Sequence, residues 1–167
     1  KGFTTITEKM DAVTLLDWLN NYMGLMSQVI SDHGGVVDKF IGDAIMAVFG
    51  VPIARENEAA IAKDAINAVR CALQMERELI NLNAQLAQDN LPLIKMRVGI
   101  YTGPLIAGSL GSATRMEYTV LGDTVNTASR LESYDKLDDD LSGIVCRTLI
   151  GESTYNYLPD SFQSEQV

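Results

Sequence analysis

Three sets of polar residues have types and spacings that could do chemistry. Asp43 follows Gly42, and Gly42-Asp43 is a dipeptide suited to a tight two-residue turn between β-favouring runs at 36–41 and 44–49. A carboxylate on a rigid turn is what a hard cation such as Mg²⁺ or Mn²⁺ needs, although aspartate is also an ordinary turn residue chosen for its backbone geometry. Asn126 and Arg130 are four apart, so on a helix their side chains share one face. Such a pair can orient a ribose and neutralise phosphate charge, because the planar guanidinium fork matches phosphate oxygens; the alternative is a solvated helix face with the arginine paired to a glutamate. Lys39 stands in an apolar strand beside Phe40 and Ile41. It is either a solvent-side residue or, if it lines a pocket, a donor to the edge of a base.

Other polar residues narrow the chemistry. With one histidine, His33, the chain cannot build a multi-histidine metal centre, so any metal would be held by carboxylate oxygens. His33 precedes Gly34-Gly35 and reads as a helix-end residue interacting with the last carbonyls. Cys71 and Cys146 are too far apart in sequence to mark a disulfide framework or a metal knuckle, and a reduced pair of thiols is expected. A net charge of −9 with no compensating Lys/Arg cluster argues against a duplex-binding surface. An anionic ligand would need a local cationic pocket or metal ions. Neither G-x-x-x-x-G-K-[ST] nor G-x-G-x-x-G occurs, so the common phosphate cradles at helix N-termini are missing.

These residues need a scaffold, and 167 residues with 47% hydrophobic content can build one domain that buries about 69% of its unfolded surface. Leu15, Leu19, Tyr22, Met26 and Val29 mark one face of a helix over about 11–32. Trp18, Met23 and Met26 read as core. Strands at 36–41 and 44–49 form the hairpin that carries Asp43. Residues 56–89 lack Gly and Pro and predict a long helix with Ile66, Val69, Leu73 and Ile80 at core spacing. Alternation from Ile94 to Ile100 predicts a strand, and a second hairpin follows over 105–121 with Gly108 and Gly111 separating its arms. Asp123 is the expected N-cap of a helix over about 124–134. After an acidic loop from Asp138 to Asp140 come a short strand near 144–146 and a helix near 150–158. The order α-β-β-α-β-β-β-α-β-α predicts one α+β domain with helices packed on a mainly antiparallel sheet.

Four stretches in this order carry a resemblance: Gly2-Phe3-Thr4, Val37-Asp38-Lys39-Phe40-Ile41-Gly42-Asp43-Ala44, Arg97-Val98-Gly99-Ile100-Tyr101-Thr102-Gly103, and the run from Tyr118 through Thr119, Gly122, Asp123, Asn126 and Arg130 to Leu131. The chain resembles the class III nucleotidyl cyclase catalytic domain, the family of adenylyl and guanylyl cyclases, in its cyanobacterial style, over almost its whole length. The resemblance implies a ferredoxin-like βαββαβ core with an extra hairpin and C-terminal elements. It implies ATP as substrate and cyclic AMP and pyrophosphate as products, with two divalent cations, Mg²⁺ or Mn²⁺, as cofactors. Asp43 matches one metal aspartate, and the other is expected two residues before Lys1. Phe3, Thr4 and Gly42 are implied in substrate binding, Asn126 and Arg130 in transition-state stabilisation, and Lys39 with Thr119 in recognition of the base. A C-terminal lysine that grips the terminal phosphates finds no match before Val167, so both ends are expected to be truncated relative to the full domain. The family pattern also implies a head-to-tail homodimer with shared sites, an upstream sensor domain, no nucleic-acid or membrane contact by this domain, and a cytoplasmic setting. A guanylyl cyclase or a catalytically inactive dimerisation module are the competing expectations.

Overall fold

The computed structural model describes residues 10–134 and 143–167, so Phe3, Thr4 and the acidic stretch 138–142 lie outside the described residues. Helix α1, Ala12–Asp32, starts where the Asp11 carboxylate accepts hydrogen bonds from the Val13 and Thr14 amides, each 3.1 Å. It ends at His33, whose ring Nδ1–H donates to the Val29 carbonyl at 2.8 Å, and Gly34 turns the chain at φ +77°. Strands β1, Gly35–Ile41, and β2, Ala44–Phe49, then pair antiparallel around the Gly42-Asp43 turn. The expected helix over 56–89 is α2, Glu58–Gln88, capped by the Asn57 side chain on the Ala60 amide.

One side of α2 packs on α1. Trp18, Tyr22, Met26, Val29 and Ile30 of α1 meet Cys71, Met75, Leu79, Leu82 and Leu86 of α2 in the principal core, where Met26 and Leu79 have no exposure. Two of the expected core residues of this helix are corrected: Leu73 and Ile80 are 41% and 51% exposed. Two overlapping apolar stripes run along α2, and the buried one passes through Ala65 and Ala72, whose small side chains allow a neighbour to approach closely. Reading the bulkier stripe as the core rotated the helix by one residue.

Strand β3, Met96–Ile100, enters through a two-way clamp: the Asn83 amide of α2 donates to the Ile94 carbonyl, and the Ile94 N–H donates to the Asn83 side-chain oxygen, both 2.8 Å. Strands β4, Ile106–Ser112, and β5, Arg115–Leu121, form the second hairpin. Its turn lies at Ala113-Thr114, not at the glycines, which sit inside β4. At Gly111, with φ +155°, a Cβ would collide with the Arg115 carbonyl, so the glycine serves close approach of the two arms. Helix α3, Asp123–Ser133, takes Gly122 as its N-cap; Asp123 is its first residue, where its charge favours the positive end of the helix. Strand β6, Cys146–Ile150, begins where it was expected to end and runs four residues further, and the helix after it shrinks to α4, Glu152–Tyr155.

The architecture is α+β, as expected, and the element order matches. Among the described residues the sheet resolves into three two-stranded pairs, β1-β2 and β4-β5 antiparallel and β3-β6 parallel. Strands β2 and β3 do not pair; both line a cleft of about 1470 Å³. No helix among the described residues is long and apolar enough to cross a membrane.

The Leu79→Ala variant is expected to lose about 2–5 kcal/mol of stability, while Ile80→Ala changes it by no more than about 0.5 kcal/mol. Urea unfolding of the two side by side checks the rotation of α2. Burial pushes the Cys71 thiol up to about 12 and the Cys146 thiol up to about 11. Both should resist a maleimide at pH 7.5 until the protein unfolds. Because their folded pKa values lie above the unfolded value near 9, stability should fall as pH rises beyond about 9. Rapid labelling of the native protein would contradict this burial.

Candidate active site

The β1-β2 hairpin delivers two of the sequence-predicted residues to different places. At its tip, Gly42 has φ +61°, the positive value that a two-residue turn with glycine at its first central position requires, and Asp43 is exposed beside it. Tyr22 of α1 lines the same cleft as Asp43; burial pushes its hydroxyl up to about 12, with the charges of Cys146 and Asp43 adding to the effect. That phenol is neutral at working pH. Among the described residues no three His, Cys, Asp or Glu side chains gather as a metal cage. A lone carboxylate on an exposed turn still fits a Mg²⁺-type ion, which takes one or two protein carboxylates and draws its other ligands from phosphates and water.

Halfway down the hairpin the pairing slips: Val37 opposes Ala47, Lys39 opposes Met46, and Asp38 has no partner. An extra residue in one strand disturbs the alternation of faces, so two consecutive side chains can turn the same way. Here both reach β5. The Thr119 hydroxyl donates to Asp38 Oδ2 at 2.9 Å, and Lys39 Nζ donates to Glu117 Oε1 at 2.8 Å while standing 3.6 Å from Asp38 Oδ2. Thr119 and the Asp38 side chain are each only 5% exposed, whereas the Lys39–Glu117 pair faces solvent. The hydrogen bond to Glu117 raises the Lys39 ammonium above its usual range, and the same bond lowers the Glu117 carboxyl. Lys39 and Thr119 are therefore neighbours, as a shared binding role requires. Sequence reasoning missed Asp38 and Glu117. Glu117 was accessible, since it stands two residues before Thr119 and so shares its strand face. Asp38 was not, because its orientation follows from the slip in register.

Asn126 and Arg130 lie exposed on α3, one turn apart. The alternative in which Arg130 pairs with a glutamate is not what the structure has: Glu132 takes Arg97 instead, at 2.9 Å. The helix is fixed from behind. Thr124 Oγ1 donates to the Pro104 carbonyl at 2.6 Å near its start. At Gly99 of β3 the backbones come so close that a Cβ would overlap the Ala128 carbonyl oxygen and the Glu132 amide nitrogen. Asp43 and Asn126 border the cleft between β2 and β3, and Lys39, Thr119 and Arg130 do not. One chain thus brings Asp43 and Asn126 to one cleft and leaves Lys39, Thr119 and Arg130 outside it.

The family model described as the adenylate and guanylate cyclase catalytic domain matches residues 1–165. The chain is 34% identical over 171 residues to an adenylate cyclase of Anabaena cylindrica, covering 97% of this chain and 30% of that protein. It is similar to the crystal structure of the adenylyl cyclase CyaB from P. aeruginosa, with a TM-score of 0.81, 36% identity, and coverage of 94% of this chain and 74% of that one. It is also similar to the crystal structure of the guanylyl cyclase Cya2, with a TM-score of 0.79, 33% identity, and coverage of 96% and 74%. The chain spans less than a third of the length of the curated relatives it matches.

Replacing Gly99 by alanine should push α3 off β3 and displace Asn126 and Arg130 together, lowering the melting temperature by several degrees and any activity that uses α3 by more than about tenfold. An unchanged melting temperature and rate would mean that the two backbones tolerate separation.

Proposed function

Because the chain belongs to the adenylate and guanylate cyclase catalytic domain family, we propose that it is an adenylyl cyclase, converting ATP into 3′,5′-cyclic AMP and pyrophosphate. The observation that carries the choice of base is the meeting of Lys39 and Thr119 at Asp38. An ammonium donates to adenine N1, and a hydroxyl oxygen accepts from the N6 amine. Guanine carries a hydrogen on N1, which an ammonium would oppose. Guanylyl cyclase activity is the second reading, since the family name covers both and two side chains decide between them.

The remaining groups have separate tasks. Asn126 orients the ribose so that its 3′-oxygen lies in line with the α-phosphorus; a bond forms there as the bond to pyrophosphate breaks. Arg130 meets the charge that builds on the phosphorus oxygens, and its freedom from other partners among the described residues leaves both arms of the fork available. Gly42, with Phe3 and Thr4, holds the triphosphate through backbone N–H groups. Asp43 would help hold the divalent cations, which when bound lower the pKa of the 3′-hydroxyl and offset phosphate charge.

The active unit is a head-to-tail homodimer in which Asp43 of one chain works with Lys39, Thr119, Asn126 and Arg130 of the other. Two features support it: within one chain Lys39, Thr119 and Arg130 do not line the cleft that Asp43 borders, and the side chains of Phe40, Ile41, Ile106, Leu110, Met116 and Leu121 along the hairpins are apolar and exposed. The short share of its relatives that the chain spans supports an additional regulatory domain, with a sensor upstream, and two reduced buried thiols support a cytoplasmic setting.

In the full-length protein with Mn²⁺ or Mg²⁺, cyclic AMP should form from ATP in excess of cyclic GMP from GTP. Arg130→Ala should lower the rate by at least about a hundredfold, and Asp43→Ala should abolish the metal-dependent rate. Mixing the two inactive variants should restore about one quarter of wild-type activity, since half the dimers are hybrids with one intact site each. No recovery despite subunit exchange would rule out the shared site, and cyclic GMP as the main product would reverse the choice of base.

A further inference from the structure

We propose that Asp38 is a positioning residue for base selection, turning the Thr119 hydroxyl into an obligate hydrogen-bond acceptor and steadying the Lys39 ammonium. The proposal rests on the adenylyl cyclase reading of Lys39 and Thr119 and deepens it. A threonine hydroxyl alone is undecided: it has one proton to give and two lone pairs to receive, so it can meet the N6 amine of adenine or the O6 carbonyl of guanine with equal ease. Discrimination at that atom requires that something else fix the proton.

Asp38 meets the requirement. Its carboxylate only accepts, it lies 2.9 Å from Thr119 Oγ1, and both side chains are buried enough that water does not compete for the bond. With its proton committed to Asp38, Thr119 can only accept from a ligand. The same carboxylate oxygen stands 3.6 Å from Lys39 Nζ, and Glu117 holds a second side of that ammonium at 2.8 Å. Glu117 takes one of the three N–H donors of the ammonium and Asp38 attracts it as an ion pair, which leaves donors to point at a ligand acceptor. One buried carboxylate thereby sets both halves of an acceptor-plus-donor pattern that matches adenine and mismatches guanine. Its ability to face β5 comes from the slip in strand register between Val37 and Lys39.

The test is a double-mutant cycle read as base preference. For wild type, Asp38→Asn, Asp38→Ala, Thr119→Val and the Asp38→Ala/Thr119→Val double variant, kcat/KM is measured with ATP and with GTP. Binding of non-cyclisable analogues of both nucleotides is measured alongside. Melting temperature reports folding. Asp38→Ala should shift the ATP-to-GTP ratio toward GTP by roughly tenfold, the worth of one hydrogen bond. The shift should be carried mainly by KM and by the binding ratio. Asn keeps an acceptor oxygen for Thr119, so Asp38→Asn should retain most of the preference and supplies a folded variant if alanine destabilises. In the Thr119→Val background, Asp38→Ala should move the ratio by markedly less, since only its effect through Lys39 remains. A ratio that is unmoved in Asp38→Ala, that moves equally without the Thr119 hydroxyl, or that shows no adenine preference in the wild type would overturn the role of Asp38. Absence of any cyclic nucleotide from wild type would instead remove the adenylyl cyclase reading, while the analogue-binding ratios still decide the role of Asp38.

Discussion

The seam between α1 and α2 is the contact on which the remaining placements depend. Met26 and Leu79 are wholly enclosed in it, and the residues around them are large enough that the two helices have few ways to fit. From one end of that seam α1 runs through Gly34 directly into β1, so the angle at which the helix packs also fixes the first hairpin. At Gly35 a Cβ would collide with Phe49 and Ile30, so the start of β1 lies tight against both the helix and its own partner strand. On the other side Asn83 fastens the backbone ahead of β3 to α2. Two strands that never pair with each other are thus held at a set separation by one helical contact.

Everything presented to a ligand hangs on these anchored strands by short-range devices. A turn glycine aims Asp43 outward, an extra residue in β1 aims Asp38 and Lys39 at β5, and a glycine in β3 lets α3 settle flush so that Asn126 and Arg130 stand on its free side. Each device is a single residue, and each acts on backbone geometry before any side-chain chemistry begins. The chain carries a net charge of −9, which repels a nucleoside triphosphate at long range. On the proposed function Lys39 and Arg130, with the cations that carboxylates such as Asp43 attract, would supply the local field that the overall charge does not.

How much of this was legible in the sequence varies with the physical origin of each feature. Periodicity and turn chemistry are local, and they gave the ten elements in order, the hairpin around Gly42-Asp43, and the helix that sets Asn126 and Arg130 on one face. Phase within α2 was not local: whether Leu73 or Ala72 faces inward depends on what packs against the helix, and alanine carries little hydropathy signal. The end of the second hairpin failed for a related reason, since Gly108 and Gly111 read as turn residues until β5 is seen pressing on Gly111. Strand β6 was misplaced because its registry is dictated by β3, from Met96 opposite Cys146 to Ile100 opposite Ile150, across fifty residues of chain. The spacing paired Asn126 with Arg130 and the resemblance paired Lys39 with Thr119, but the carboxylate that joins the second pair was not visible. Nothing in the order Asp38-Lys39 indicates that both side chains turn to one side.

That grouping bears on how a nucleotide could be held. A base-reading cluster built from buried hydrogen bonds is rigid, as discrimination between two purines requires, because a hydroxyl free to rotate would accept either. A phosphate-handling group has the opposite need: on the proposed function Asp43 and Arg130 would shed water and meet charge that appears only as the bond forms, and both are exposed in one chain. The first task can be completed within one chain, where the β1 and β5 strands are already side by side. On the proposed reading the second is not complete within one chain, since Arg130 does not border the cleft that Asp43 lines. A second copy that covers the exposed apolar side chains of the hairpins would bring the two halves together. Chemistry would then be conditional on assembly, and any device that changes how two copies meet could set the rate without altering a residue of the site.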